Sequence, residues 1–333
     1  MTVTLVTGAA GFIGMSLAAR LLARGDTVVG IDNLNDYYSV KLKRDRLAQL
    51  FEAYGNRFRF HAQDFADMAG LEAGLADDRF DNIVHLGAQP GVRYSITHPH
   101  AYAQSNLIGH VNMLEVARAR SIPMIYASSS SVYGNGKTQP FTVEDRVDHP
   151  ISLYAATKRA DELMSEAYAH LFRIPLTGLR FFTVYGPWGR PDMAVWNFTQ
   201  RIFSGEAIDI YNEGVMKRDF TFIDDIVAGV SACLDNPPPD DGAVKAGGSV
   251  SPHRVYNIGN NRPEKLMRLI ELIEDACGRK AEYRFLPMQA GDVLETYADI
   301  DAIQQEMGYN PAISIDIGVP RFVSWYKRYA AID

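Results

Sequence analysis

The sequence is poor in cysteine, with only Cys233 and Cys277 among 333 residues. Two isolated thiols exclude a disulfide framework and a cysteine metal site, and both are expected to be buried free thiols in a reducing compartment. Positive charge is not in surplus either. A formal net charge of −7 argues against a general binder of nucleic acid or anionic membrane, which would need a basic patch. Long apolar runs are missing: nothing approaches the ~18 residues of a membrane span. No basic leader or cleavage site precedes Val3-Thr4-Leu5-Val6, which enters a strand at once. Histidine is sparse, and His61, His85 and His253 lack ligand spacing, so they are read as hydrogen-bonded structural residues and no metal is expected. These absences point to a cytoplasmic protein.

What is there is the composition of an ordinary globular enzyme, 47% hydrophobic and 22% charged. The first 180 residues alternate strand-like and helix-like segments, the pattern of a doubly wound parallel sheet with helices on both faces. Strands are predicted at 3–7, 27–31, 58–61, 82–86, 124–127 and 176–181. Helices are predicted at 12–24, 40–53, 67–76, 99–119 and 154–172. After Gly186 the pattern loosens, with helices at 197–204, 223–234, 263–277 and 315–329; the aromatic stretch 322–329 reads as a packed terminal helix.

Gly8-Ala9-Ala10-Gly11-Phe12-Ile13-Gly14 lies between the first strand and the first helix. A helix N-terminus offers unpaired N–H groups and a positive dipole end, which suits a pyrophosphate. The glycines allow the tight turn and the close approach of backbone to phosphate. Asp32 ends the second strand, where its carboxylate can accept from a ribose diol and would repel a 2′-phosphate, so NAD is expected over NADP. Asn33 follows it. Asp64, ahead of Phe65, ends the third strand; an adenine contact and a helix cap are both open to it.

Ser128-Ser129-Ser130-Ser131 precedes the pair Tyr154 and Lys158. An offset of four places Tyr154 and Lys158 on one helical face. A free phenol titrates near pH ~10, but a neighbouring ammonium and a nicotinamide cation favour the phenolate, making a usable base.

The glycine spacing, the serine-rich strand end and Tyr154-x-x-x-Lys158 together resemble the extended short-chain dehydrogenase/reductase family, from Val3 to about residue 300. The resemblance implies an α/β fold: a Rossmann-type NAD-binding domain over 1–186, with a smaller mixed α/β substrate-binding domain over 187–333, parts of which return to the first. It implies that Tyr154, Lys158 and a serine, best matched by Ser129, are catalytic, with the register inside the four serines left open. It also implies NAD as a bound cofactor, held by Gly8, Gly11, Phe12, Ile13, Gly14, Asp32, Asn33, Asp64, Phe65, Tyr154 and Lys158. A homodimer through the helices near 99–119 and 154–172 is implied as well.

Family dehydratases and decarboxylases carry a carboxylate just before the Val-Tyr-Gly turn, and this chain has Ser131 before Val132-Tyr133-Gly134. Elimination needs an acid or base there, so the resemblance implies 4-epimerisation of a nucleotide sugar. Met216-Lys217-Arg218-Asp219-Phe220 resembles the motif whose arginine clamps the diphosphate. Gly291-Asp292 resembles the segment beside the nucleotide ribose. Tyr211 is a candidate uracil neighbour and equally a core tyrosine. Thr183 stands where the galactose-type enzymes have Asn. With Ser130, Ser131 and a cation, Arg93 or Arg190, it suggests a site for a sugar carboxylate. The expected substrate is therefore UDP-glucuronate, converted to UDP-galacturonate; the alternatives are UDP-glucose/UDP-galactose interconversion and decarboxylation of UDP-glucuronate.

Overall fold

A computed structural model describes residues 1–136, 138–289 and 291–332. Asp333, the last residue of the expected second domain, lies outside these. The centre is a seven-stranded, wholly parallel sheet. Its strands are β1 (Val3–Thr7), β2 (Thr27–Asp32), β3 (Phe58–Ala62), β4 (Asn82–His85), β5 (Met124–Ser129) and β6 (Leu176–Phe181). The seventh comes much later. Strands β7 (Thr183–Tyr185), β8 (Ile208–Tyr211) and β9 (Lys217–Phe222) intervene before β10 (His253–Ile258), which closes the sheet against β6; β11 (Pro263–Lys265) and β12 (Tyr283–Leu286) follow.

The spatial order β10-β6-β5-β4-β1-β2-β3 reverses direction between β1 and β4. That reversal opens a crevice at the carboxyl ends of the strands, where ligands bind in such sheets. β1 and β4 are buried almost throughout because helices cover both faces of the sheet. Strands β7, β9 and β11 form a small mixed sheet, and β8 pairs with β12. Trp188 and Trp196 pack on Trp325 of the terminal helix Ile315–Tyr329, with ring centroids 5.2 and 5.4 Å apart, so the aromatic stretch is core as expected.

One predicted helix is corrected at its start, and another carries a bulge. Residues 263–265 of the predicted helix 263–277 are strand β11, antiparallel to Lys217–Asp219 of β9, and the helix is Leu266–Cys277. The predicted helix 99–119 is present as a continuous helical run from Pro99 to Arg120, with a π-helical stretch Ala103–Ile108 inserted between the α-helical segments Pro99–Tyr102 and Gly109–Arg120. The wider turn swings Asn106 inward, where its amide accepts from Gln89 N at 2.8 Å and donates to Thr157 Oγ1 at 3.0 Å. It thereby braces the helix carrying Tyr154. Such bulges concentrate at functional sites.

Both cysteines are buried and free. His61, His85 and His253 are hydrogen-bonded to Asp78, Thr7 and Glu166 respectively, each at 2.7 Å. Among the described residues no cluster of His, Cys, Asp and Glu suits a metal ion, and no helix is long and apolar enough to cross a membrane.

Candidate active site

A cavity of about 380 Å³ occupies the crevice. It is lined by Gly8, Gly11, Phe12, Ile13, Gly14, Asp32, Asn33 and Phe65 of the expected cofactor site, and by Ser129, Ser130, Ser131, Tyr154, Lys158, Thr183 and Arg190. Its floor is the glycine loop. A methyl group on Gly14 would lie 2.1 Å from Gly8 O, so the chain can pass there only without a side chain. The first helix, Phe12–Ala23, has no side-chain cap, which leaves its N-terminal N–H groups to the cavity. Asp32 accepts from Ala10 N at 3.2 Å and Leu34 N at 2.8 Å. Burial raises its carboxyl pKa, and Lys43 opposes the shift. The bare turn, open helix end and strand-end carboxylate fit a dinucleotide with a free ribose diol.

Asp64 does not line the cavity: it accepts from Asn33 Nδ2 at 3.1 Å and from Ala66 N at 2.8 Å. The next helix, Met68–Gly74, is capped instead by Asp67.

The serines divide. Ser128 Oγ donates to the buried Glu162 at 2.6 Å, which commits it to the helix Leu153–Phe172. Ser129 caps the turn Ser130–Tyr133: its Oγ accepts from Ser131 N and donates to Ser131 Oγ, both at 3.2 Å. Tyr154 enters from the helix Leu153–Phe172, whose N-terminus Ser152 caps by accepting from Ala155 N. The Tyr102 ring packs edge-on against Tyr154, with centroids 6.0 Å apart. Lys158 Nζ donates to Ala127 O and to Asp161 Oδ2, each at 3.0 Å. Among the described lining residues the cations are Lys43, Lys158 and Arg190, and the only carboxylate is Asp32. Two of these cations are met by acids just outside the lining, Lys158 by Asp161 and Arg190 by Asp192.

Arg93, Tyr211, Arg218 and Asp292 gather beside the cavity rather than in its lining. Arg93 donates to Asp292 at 3.1 Å and lies over the Tyr211 ring at 5.1 Å, while Arg218 feels the charges of both Arg93 and Asp292. Of the two arginines considered for the carboxylate, Arg93 thus stands with this second cluster, while Arg190 lines the main cavity beside Asp192, 2.5 Å away.

Sequence reasoning missed Arg46. Fully buried, it donates to Ala10 O at 3.0 Å, Trp188 O at 2.7 Å, Gly189 O at 2.9 Å and Tyr38 Oη at 2.7 Å, clasping the glycine loop to the 186–189 loop. The available signal was an arginine among the apolar positions Leu42, Leu47 and Leu50 of the helix Val40–Tyr54. Tyr37 and Lys43, both lining the cavity, were missed as site residues too.

The family described as GDP-mannose 4,6 dehydratase matches residues 5–322. A probable UDP-glucuronate 4-epimerase of Rhizobium meliloti (strain 1021) is 46% identical, over 97% of this chain and 96% of that protein. UDP-glucuronate 4-epimerase 2 of Arabidopsis thaliana is 44% identical, over 98% of this chain and 76% of that protein. The crystal structure of UDP-glucuronic acid 4-epimerase from Bacillus cereus, in complex with UDP-glucuronic acid and NAD, superposes with a TM-score of 0.86. It is 32% identical and covers 98% of this chain and 99% of that one.

Proposed function

Because the chain belongs to the GDP-mannose 4,6-dehydratase family, within the extended short-chain dehydrogenases/reductases, we propose that it is an NAD-dependent 4-epimerase that converts UDP-glucuronate to UDP-galacturonate through a transient 4-keto sugar. The observation that carries this reading is the cavity wall. Ser129, Ser130, Ser131 and Thr183 stand with Tyr154, Lys158 and Arg190 in a space whose one carboxylate among the described residues, Asp32, serves the cofactor end. Hydroxyls and a cation suit a sugar carboxylate, and position 131 has no acid to drive elimination.

The glycine loop and Asp32 hold the cofactor, and bound NAD supplies the hydride acceptor, then donor, at C4 of the sugar. Tyr154 takes the C4 hydroxyl proton, and Lys158 favours its phenolate. Ser129 hydrogen-bonds the C4 oxygen. Ser130, Ser131, Thr183 and Arg190 hold the uronate, while Arg218, Arg93, Asp292 and Tyr211 keep the UDP fixed as the keto sugar turns over. Tyr154 returns the proton. A 4-ketone makes the uronate a β-keto acid, so the wall has a second duty: keeping the breaking C–C bond out of line with the carbonyl π system suppresses loss of carbon dioxide.

Residues 1–186 mainly hold the cofactor in this reading, and 187–333 mainly hold the UDP-sugar. The enzyme is a cytoplasmic homodimer, a reading supported by the free thiols and by Leu163 and Leu171, which are exposed on the helix Leu153–Phe172.

The test is proton NMR of UDP-glucuronate and UDP-glucose incubated separately with the purified protein, with chromatography of the nucleotide released on denaturation. UDP-galacturonate formation and released NAD are expected. Preferred turnover of UDP-glucose, or accumulation of a ketopentose, would overturn the assignment.

A further inference from the structure

The helix that carries Tyr154 and Lys158 brings an acid to the amine from below. Asp161 is fully buried, and its Oδ2 accepts from Lys158 Nζ at 3.0 Å. Its other oxygen, Oδ1, has no hydrogen-bond partner among the described residues. A buried carboxylate oxygen without a partner is costly, and less so when the group is neutral.

The charges around the pair leave it isolated. On the same helix, Glu162 is committed to Arg180 of β6, Arg159 and Ser128. From the helix Gly109–Arg120, the His110 imidazole bonds the main chain of Asp161 and Ser165 Oγ, and burial keeps it neutral. From β4, His85 bonds Thr7, and burial followed by the Lys158 charge pushes it down to about 3. From β5, Tyr126 bonds His253 of β10, and burial holds its phenol protonated. Tyr102, from the turn Pro99–Tyr102, is likewise held protonated by burial. Among the described residues Lys158 is thus the one nearby cation without another acid, and Asp161 its one buried counter-ion.

Resting on the reading of Tyr154 as base and Lys158 as its partner, we propose that Asp161 is a positioning residue that competes with the Tyr154 phenolate for the single ammonium charge of Lys158, so that the acid limb of turnover belongs to the coupled Asp161–Tyr154 pair. Burial lifts the Asp161 carboxyl to about 7, inside the working range, against the pull of Lys158. As a carboxylate it cancels the ammonium charge and opposes a second anion at Tyr154. As an acid it leaves that charge to the phenolate. Two groups sharing one cation titrate with macroscopic values that belong to neither alone.

Asp161→Asn removes the charge and keeps an oxygen to accept from Lys158. In the holoenzyme, the midpoint of the acid limb of kcat against pH should move down by about one pH unit. On the acid side the variant should then turn over up to about tenfold faster than the parent. The limb should also narrow from a broad two-group curve to a one-proton curve. A uniformly lower kcat with an unmoved midpoint would mark Asp161 as merely structural and overturn the proposal. Should the variant not fold, the parent decides through the pH titration of phenolate absorbance, taken as the difference from Tyr154→Phe: a one-proton curve overturns it. If Tyr154→Phe itself still epimerises, the reading of the base falls. If it is inactive and the Asp161→Asn midpoint is unmoved, only the Asp161 proposal falls.

Discussion

Ser128 Oγ lies 2.6 Å from Glu162 Oε1, and the same carboxylate takes Arg180 Nε at 2.8 Å, all three groups being buried. The link ties the end of β5 to β6 and to the helix Leu153–Phe172, so the first serine of the run braces the fold while lining the cavity with the next three.

Glu162→Ala should leave Arg180 as an uncompensated buried charge, costing about 3–5 kcal/mol. Urea unfolding at pH 7 measures it. Burial works to raise the Glu162 pKa, but Arg180 and Ser128 outweigh it and hold the group below its ordinary value. A depressed carboxyl stabilises the fold fully above its unfolded pKa, near ~4.3, and that contribution fades as pH falls through the lower folded value. Parent stability should therefore drop steeply below about pH 4, and the variant should lack that component.

Arg46→Met should weaken cofactor retention before it touches chemistry. It strands the carbonyls of Ala10, Trp188 and Gly189, at about 1–3 kcal/mol for each buried group left unpaired. NAD released from the purified variant should fall well below one per chain, while added NAD restores turnover.

Gly14→Ala places a methyl against Gly8 O and must push the loop apart. The expected result is a folded protein that retains no NAD and has no activity. Full cofactor content by absorbance after denaturation would contradict the assigned role of the loop.

Ser131→Ala with Thr183→Ala should loosen the uronate without removing the base. Turnover of UDP-glucuronate should then release a UDP-4-ketopentose that the parent does not accumulate. An unchanged product ratio by NMR would remove the restraint argument.

The legible parts of this molecule were local. The turn Gly8–Gly14, the offset between Tyr154 and Lys158, and the short apolar strands all follow from φ/ψ limits and periodicity within a few residues. What escaped depends on distant partners. Arg93 meets Asp292 across 199 residues of chain, so its cluster could not be read from its loop. The serine run offered four identical candidates, and only Glu162, 34 residues on, separates Ser128 from the rest. The π-helical stretch at 103–108 brings Asn106 to Gln89 and Thr157, contacts that helical periodicity does not register.

The late arrival of β10 bears on how the chain is made. Strand β6 lies fully buried between β5 and β10, and about 77 residues separate Phe181 from Ile258. At ~5–20 residues per second, a nascent chain presents the open edge of Leu176–Phe181 for roughly 4–15 s before its last neighbour emerges. A fragment ending near residue 186 would present it permanently, as a template for pairing with other chains. The first half of this sequence holds the cofactor motifs, but the ribosome must finish three quarters of the protein before that half is safe from aggregation.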